Sequence, residues 1–153
     1  MKLNLPESKL KIKDTLDGTK AVYDRLRRRW VALTPEEWVR QNFVEFLIVH
    51  RGFPAGLMGN EVSLVQNGIS RRCDTLVADI HGHPLMLVEY KAPSVAITQK
   101  AFDQICRYNM TMGASYLIVT NGLSHYCCHI DSARQSYTFL REVPHWSDIS
   151  FLQ

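Results

Sequence analysis

The segment that most constrains the fold is the apolar run over residues 85–91, which ends in Glu89 and Lys91. Leu85-Met86-Leu87-Val88 is uninterrupted by polar residues, as is typical of a strand covered on both faces. Buried charges need compensation, and metal coordination is a common source of it. The run therefore predicts a central strand that ends in a functional site. The alternative is an edge strand on which Glu89 and Lys91 are an exposed polar alternation.

Two helices are predicted around this strand. The first begins after Thr34 as N-cap, with Pro35 at the first helical position and Glu37 closing a capping box. An apolar stripe at helical spacing follows it, and Gly52 ends it. The second helix is predicted over residues 97–111. Further strands are expected at 61–66, 71–80, 116–120, 125–130 and 136–141, so the order of elements predicts an α/β sandwich around a mixed sheet.

The N-terminal residues 1–33 are interpreted as an arm preceding a domain of residues 34–153. Residues 8–13 alternate polar and apolar, and Asp17-Gly18 offers a turn, which predicts a small hairpin or an extended segment. Four arginines then crowd into residues 25–29. This basic run is either a solvated helix face or a patch that contacts phosphates.

Composition excludes several classes of protein. With 153 residues, 46% hydrophobic and 22% charged, the chain is expected to be one soluble globular unit. No apolar stretch approaches the roughly 20 residues of a membrane helix and no signal peptide is recognisable, so we expect no membrane association and a cytoplasmic location. The net charge of +3 is too small to establish a nucleic-acid partner by itself.

Turn chemistry predicts how the acidic residues meet. If Asn67-Gly68 is a two-residue hairpin loop, Glu61 lies opposite Asp74. An even-numbered loop around His83 would then place Asp74 opposite Lys91, with Glu89 diagonal to it. Because side chains alternate along a strand, all four would project from one face. Carboxylates clustered in this way repel unless a cation neutralises them, and oxygen ligands select Mg²⁺ or Mn²⁺.

Asp74 together with Glu89-Tyr90-Lys91 resembles the motif of PD-(D/E)XK nucleases, and Gln104 with Tyr108 matches the QxxxY element of their RecB-like branch. The wider sequence resembles the N-terminal nuclease domain of type I restriction enzyme R (restriction) subunits and their small stand-alone relatives over roughly residues 34–130. The residues that carry this resemblance are Pro35-Glu36-Glu37-Trp38-Val39-Arg40-Gln41, Arg72-Cys73-Asp74, Glu89-Tyr90-Lys91-Ala92-Pro93, residues 104–109 and Thr120-Asn121-Gly122.

The resemblance implies a restriction-endonuclease-like αβββαβ core and a set of residue roles. Asp74 and Glu89 would be metal ligands, and Lys91 would position or activate the attacking water and stabilise charge on the phosphate. Gln104 and Tyr108 would support the site from the second helix. Cys73 stands where the motif has its nominal proline. An additional acid is expected, and Glu61 from the hairpin geometry and Glu37 or Glu45 from the first helix remain candidates for it.

The implied function is a Mg²⁺-dependent DNA endonuclease linked to restriction-modification, with Mn²⁺ as a substitute metal. The alternatives are a non-catalytic member of the same fold that binds nucleic acid or a partner, and a structural interaction module with a basic arm. Partners would be DNA, a second copy of the chain or other restriction-system subunits. With no helicase motor following, we expect no DNA translocation. The residues expected to contact DNA are Arg27, Arg28, Arg29, Lys100 and Arg107.

Overall fold

The computed structural model describes residues 1–149 and contains two sheets and three α-helices within that range. The N-terminal sheet consists of β1 (Ile12–Asp14), β2 (Lys20–Asp24) and β3 (Arg29–Ala32). The helices are α1 (Pro35–Glu45), α2 (Gln99–Asn109) and α3 (Trp146–Ile149). The central sheet consists of β4 (Met58–Gln66), β5 (Ile69–Ala78), β6 (Pro84–Tyr90), β7 (Tyr116–Thr120), β8 (His125–Asp131) and β9 (Ser136–Leu140).

The central sheet is mixed, and its strands lie in chain order from β4 to β9. Only the β6–β7 pair is parallel, and α2 forms the crossover between these two strands. β6 is buried from Leu85 to Val88, as its continuous apolar sequence predicted. The predicted α/β architecture, with a mixed central sheet flanked by helices, is confirmed.

The two faces of the central sheet are covered by different helices. Val39, Phe43 and Leu47 of α1 and the π-helical turn after it (Phe46–His50) pack on one face with Val88 and Tyr90. On the other face, α2 contributes its buried Phe102 and Cys106, which pack with Leu87, Leu117 and Val119. None of the helices within residues 1–149 is long and apolar enough to cross a membrane.

The register of the first hairpin of the central sheet is the one predicted from Asn67-Gly68. Both residues have positive φ, 52° and 77°, as a two-residue type I′ turn requires. Asn60 pairs with Thr75 and Val62 with Cys73, so Glu61 lies at the level of Asp74. Glu61 itself has a φ of 56°, so the backbone of β4 is irregular at this one residue although the register is the same on both sides of it.

The register of the second hairpin differs from the prediction by two residues. Thr75 pairs with Val88, which places Asp74 beside Glu89 rather than opposite Lys91. The shift arises in the turn, where Asp79 accepts the N–H groups of His81 and His83 and the ladder slips after Val77. Because a shift of two residues preserves the alternation of side chains, Asp74 and Glu89 still project from one face.

The N-terminus of α1 is capped by Thr34, whose hydroxyl accepts the N–H of Glu37 at 3.0 Å. The predicted capping box is wrong, because the N–H of Thr34 donates to the carbonyl of Ala32 rather than to the Glu37 carboxylate. That carboxylate instead forms ion pairs with Arg27 and Arg40. Glu37 therefore links two elements instead of closing its own helix.

The N-terminal segment forms a three-stranded antiparallel sheet rather than a lone hairpin. β1 and β2 are the two strands of the expected hairpin, and Asp17-Gly18 lies in the turn between them. The arginine run lies in the turn between β2 and β3 and at the start of β3, so the interpretation of a helix face is wrong. Leu3 belongs to the same hydrophobic core cluster as α1 and β6.

A buried polar network joins the N-terminal sheet to α1 and the central sheet. Arg27 forms ion pairs with both Asp24 and Glu37, and Asp24 is completely buried. The amide of Asn60 donates to Asp24 at 2.9 Å, and the hydroxyl of Thr75 donates to Asn60 at 2.6 Å. Buried polar groups remain stable only when their partners are present, so this network fixes how the elements sit relative to one another.

The network predicts different effects for two neighbouring arginines. Arg27→Ala should lower the free energy of unfolding by about 3 kcal/mol, because it leaves the buried Asp24 carboxylate without a cation and removes one of the two arginines that pair with Glu37. Arg29→Ala, which removes an exposed guanidinium in the same run, should change it by less than about 0.5 kcal/mol. Urea unfolding of both variants measures the difference, and equal losses would contradict the structural role of Arg27.

Candidate active site

Two carboxylates, on Asp74 of β5 and Glu89 of β6, meet at the end of the central sheet. The backbone fixes Asp74, because its Oδ2 accepts the N–H of Tyr90 at 3.0 Å. Arg40 of α1 adds a second restraint, with Nη1 donating to the carbonyl of Asp74 at 3.1 Å. The pair is therefore positioned by two strands and a helix.

Glu89 carries the clearest electrostatic signal of the site. Burial and the neighbouring Asp74 carboxylate raise the pKa of Glu89 to about 7, against the opposing effect of Arg71 and Lys91. Its side chain is only 19% exposed, so water compensates the charge poorly. Ionisation of Glu89 next to Asp74 is therefore unfavourable unless a further cation is present.

The donor set suits a hard divalent cation. Asp74 and Glu89 offer carboxylate oxygens, which Mg²⁺ and Mn²⁺ prefer over nitrogen or sulfur ligands. Among residues 1–149 no group of three His, Cys, Asp or Glu side chains is spaced to hold a metal ion. Two carboxylates fit Mg²⁺ all the same, since it is usually bound through one or two carboxylates with waters and substrate phosphates completing the shell.

Lys91 and Glu36 border the carboxylate pair. Lys91 is half-buried just beyond β6, and its N–H donates to the carbonyl of Thr120 at 2.9 Å. Glu36, in the first turn of α1, has its pKa raised by burial and by Asp74, while Arg40 and Lys91 lower it. The sequence reasoning missed Glu36, although the acidic pair Glu36-Glu37 at a helix start was the available signal.

None of the three acids considered as the additional acid faces Asp74 freely. Glu61 is held by ion pairs with Arg40 of α1 and Arg72 of β5. Glu37 is buried between Arg27 and Arg40, as described above. Glu45 lies at the end of α1 and pairs with the exposed Arg25 at 3.0 Å.

Arg71 connects Glu89 to Tyr108, a second link that the sequence did not reveal. The guanidinium of Arg71 lies 3.8 Å from the Glu89 carboxylate, and the ring of Tyr108 covers it, with 3.1 Å from Cζ to the ring centroid. The Arg71 side chain is 11% exposed, and its buried Nη1 has no hydrogen-bond partner among the described residues. Tyr108 therefore approaches the site through a stacked arginine rather than by direct contact with a carboxylate.

The other predicted site residues lie on exposed surfaces. Gln104 is exposed and lines a groove along α2 together with Lys100 and Arg107. Arg28 and Arg29 are exposed near the N-terminal sheet, whereas Arg27 is committed to its two ion pairs. The structure thus brings Asp74, Glu89 and Lys91 together and connects Tyr108 to them through Arg71, whereas Gln104 lies on the exposed groove along α2.

Comparison with protein families gives one match. The family described as the type I restriction enzyme R protein N terminus matches residues 35–144, which is more than half of the chain and contains every element from α1 to β9. No curated protein matches the chain.

Comparison with solved structures agrees in fold. A fragment structure described as an HsdR subunit of a type I restriction enzyme from Vibrio vulnificus YJ016 superposes with a TM-score of 0.54 at 20% sequence identity. The match covers 78% of this chain but 25% of the Vibrio chain, so this chain spans about a quarter of the length of that fragment.

The raised pKa of Glu89 predicts a pH-dependent cost to stability. Since Glu titrates near 4.3 when unfolded, the folded state binds the extra proton between about pH 4 and 7, and stability falls as the pH rises through this window. In EDTA, Glu89→Gln should be more stable than the wild type at pH 8 by on the order of 2 kcal/mol, with no gain below about pH 4. Thermal unfolding across this range measures it, and the exposed Glu7→Gln serves as control.

The stacking of Tyr108 on Arg71 predicts that the aromatic ring of Tyr108 contributes more to the free energy of unfolding than its hydroxyl does. Tyr108→Ala should lower the free energy of unfolding by about 1 kcal/mol, because the cation–π contact that covers the largely buried Arg71 guanidinium is lost. Tyr108→Phe keeps the ring and should lie within about 0.5 kcal/mol of the wild type. Urea unfolding compares the two, and equal losses would point to the hydroxyl instead.

Proposed function

Because this chain belongs to the family of the type I restriction enzyme R protein N terminus, we propose that it is a metal-dependent endonuclease that hydrolyses phosphodiester bonds of DNA. One observation carries the proposal, namely the two adjacent carboxylates of Asp74 and Glu89 with Lys91 beside them. A buried acidic pair is costly in a protein without a cation to neutralise it. Its persistence at the end of a central strand is the expected arrangement of a metal site.

Each residue of the site has a chemical role in this proposal. Asp74 and Glu89 would hold Mg²⁺, with Mn²⁺ as a substitute, and the metal would supply Lewis-acid stabilisation of the phosphate and activate a water. Lys91 places a fixed positive charge next to the scissile phosphate, where negative charge grows in the transition state. Arg40 and the N–H of Tyr90 orient Asp74, so the ligand does not have to reorganise.

Glu36 is a further candidate for the additional acid. Its carboxylate is close enough to Asp74 and Lys91 for each to alter its pKa, and it is not engaged in an ion pair among the described residues. A group that activates water must lie within hydrogen-bond reach of a water bound to the metal, without being one of the two ligands. The first turn of α1 is a suitable position for such a group. Glu61 and Glu37 are less suitable, because two arginines already hold each of them.

A second candidate function is a non-catalytic member of the fold that binds nucleic acid or a partner. The ion pair between Arg71 and Glu89 favours it, because a resident guanidinium can neutralise the carboxylate without a metal. The two functions differ in what divalent metal does. In the first it binds at Asp74 and Glu89 and supports cleavage, and in the second Arg71 retains Glu89 and added metal changes nothing.

Catalysis is tested with single substitutions at the carboxylate pair. Asp74→Ala or Glu89→Ala should abolish cleavage of plasmid DNA and Mn²⁺ binding by calorimetry, because each removes a ligand. Lys91→Ala should keep Mn²⁺ affinity while the cleavage rate falls by about 10²–10³-fold, the usual loss when one preorganised charge is removed.

The control is Asp131→Ala, which deletes a partly exposed carboxylate of β8 outside the pair and should preserve both activities. Cleavage that survives Asp74→Ala would show that the active site lies elsewhere. A wild-type protein that binds DNA but does not cut it with Mg²⁺ or Mn²⁺ would favour the second function.

A further inference from the structure

The outward face of the N-terminal sheet combines basic and aromatic side chains. Tyr23 of β2 pairs directly with Trp30 of β3, so the two rings lie side by side with their centroids 5.5 Å apart. Lys11 and Lys13 lie on the same face, because the N–H of Tyr23 bonds to Lys11 and residue 13 pairs with Ala21. We call these four residues, Lys11, Lys13, Tyr23 and Trp30, the basic–aromatic face.

Each aromatic ring of this face is paired with a lysine. The ammonium of Lys13 lies 4.3 Å from the centroid of Trp30, and that of Lys11 lies 5.6 Å from the centroid of Tyr23. Trp30 is 40% exposed, which is high for the largest apolar side chain. Trp30 therefore lies open to solvent under the Lys13 ammonium rather than in a core, with the half-buried ring of Tyr23 beside it.

The acidic residues of this sheet do not share the face. Asp14 pairs with Lys20 at 2.7 Å, and both belong to the opposite parity of the strands. Asp24, of the same opposite parity, is buried in its bonds to Arg27 and Asn60. The basic–aromatic face is consequently positive, and nothing within its own four residues neutralises it.

The face is rigidly attached to the rest of the protein. Val22 and Asp24, which alternate with Tyr23 along β2, are completely buried on the other side of the strand. Asn60 of β4 holds Asp24, so the sheet is tied to the central sheet by a buried hydrogen bond. A rigid aromatic surface loses little conformational entropy when it binds, which favours its use in recognition.

We propose that the basic–aromatic face binds a single-stranded nucleic-acid segment, with a base stacked on Trp30 and backbone phosphates paired with Lys11 and Lys13. An exposed ring flanked by cations on a sheet suits unpaired nucleotides, because each base can stack on the ring and each phosphate can pair with a cation. On binding, a base replaces the Lys13 ammonium over the indole, and the long lysine stem carries that charge to a phosphate. In a duplex the bases are already stacked, so such a face offers them nothing beyond its charge.

The proposal goes beyond the proposed function, because it concerns a surface on a different sheet from Asp74 and Glu89. It can hold or fail whether or not the carboxylate pair cleaves DNA. All binding measurements are therefore made in EDTA, where metal-dependent cleavage does not occur.

The test is a fluorescence titration with a 20-nucleotide oligothymidylate. We expect quenching of tryptophan fluorescence that is lost in Trp30→Leu, with binding weakened about tenfold, as for loss of one stacked base. Trp30→Phe should retain most of the affinity, since it keeps an aromatic ring. Trp38 and Trp146 remain in every variant, so a signal that disappears with Trp30 is assigned to this face.

Charge variants test the phosphate contacts. Lys11→Ala and Lys13→Ala should each reduce the slope of log affinity against log salt by about 0.7, the value for one phosphate of a single strand. Lys20→Ala removes the same charge from the other parity of the sheet and should leave the slope unchanged. Circular dichroism and thermal unfolding confirm that each variant is folded.

Three outcomes would overturn the proposal. Quenching and affinity that persist in Trp30→Leu would exclude the stack, and an equal effect of Lys20→Ala would exclude a local phosphate site. Duplex of the same length binding as tightly as the single strand, with Trp30→Leu unaffected, would mean that only general charge attraction operates. If Glu89→Ala loses cleavage but still binds oligothymidylate, then binding at the basic–aromatic face is independent of the carboxylate pair, as the proposal requires.

Discussion

The interaction on which the rest of the structure depends is the buried arrangement of arginines around Glu37. Arg40 pairs with Glu37 and Glu61 and also donates to the carbonyl of Asp74. Arg27 pairs with the Glu37 carboxylate as well and links it to Asp24. Arginine suits this task because its planar group has five donors and stays charged when buried. One helix therefore sets the distance between the N-terminal sheet, strand β4 and the backbone at the candidate site.

The largely buried carboxylates of Asp24, Glu37 and Glu89 fall into two kinds, those that are fully paired with arginines and one that is not. The carboxylates of Asp24 and Glu37 are matched by guanidinium groups and stabilise the relative positions of the elements. Glu89 is matched incompletely, by a 3.8 Å contact with Arg71, and burial together with the neighbouring Asp74 raises its pKa. A protein of marginal stability tolerates such a cost where the surrounding scaffold is held by well-paired groups, and poorly paired charge of this kind concentrates at functional sites.

Local chemistry decided which features could be predicted from the sequence. Asn67-Gly68 permits essentially one hairpin geometry, so the register of β4 and β5 followed from two residues, and the apolar run of β6 identified the central strand. The second hairpin was predicted two residues out, because its register depends on hydrogen bonds from Asp79 that no turn rule specifies. Glu36 and Arg71 were missed for a related reason. Glu36 lies near Asp74, and Arg71 stacks against Tyr108, only once the chain has folded.

The positive φ of Glu61 affects how molecules of this protein behave at high concentration. β4 is an edge strand of the central sheet, and a long regular edge exposes unpaired N–H and C=O groups on which another molecule can add a strand. A residue with positive φ in the middle of β4 breaks that regular spacing, and the charged pair of Glu61 with Arg72 lies at the same place. The irregularity at Glu61 thus makes this edge a poor template for aggregation.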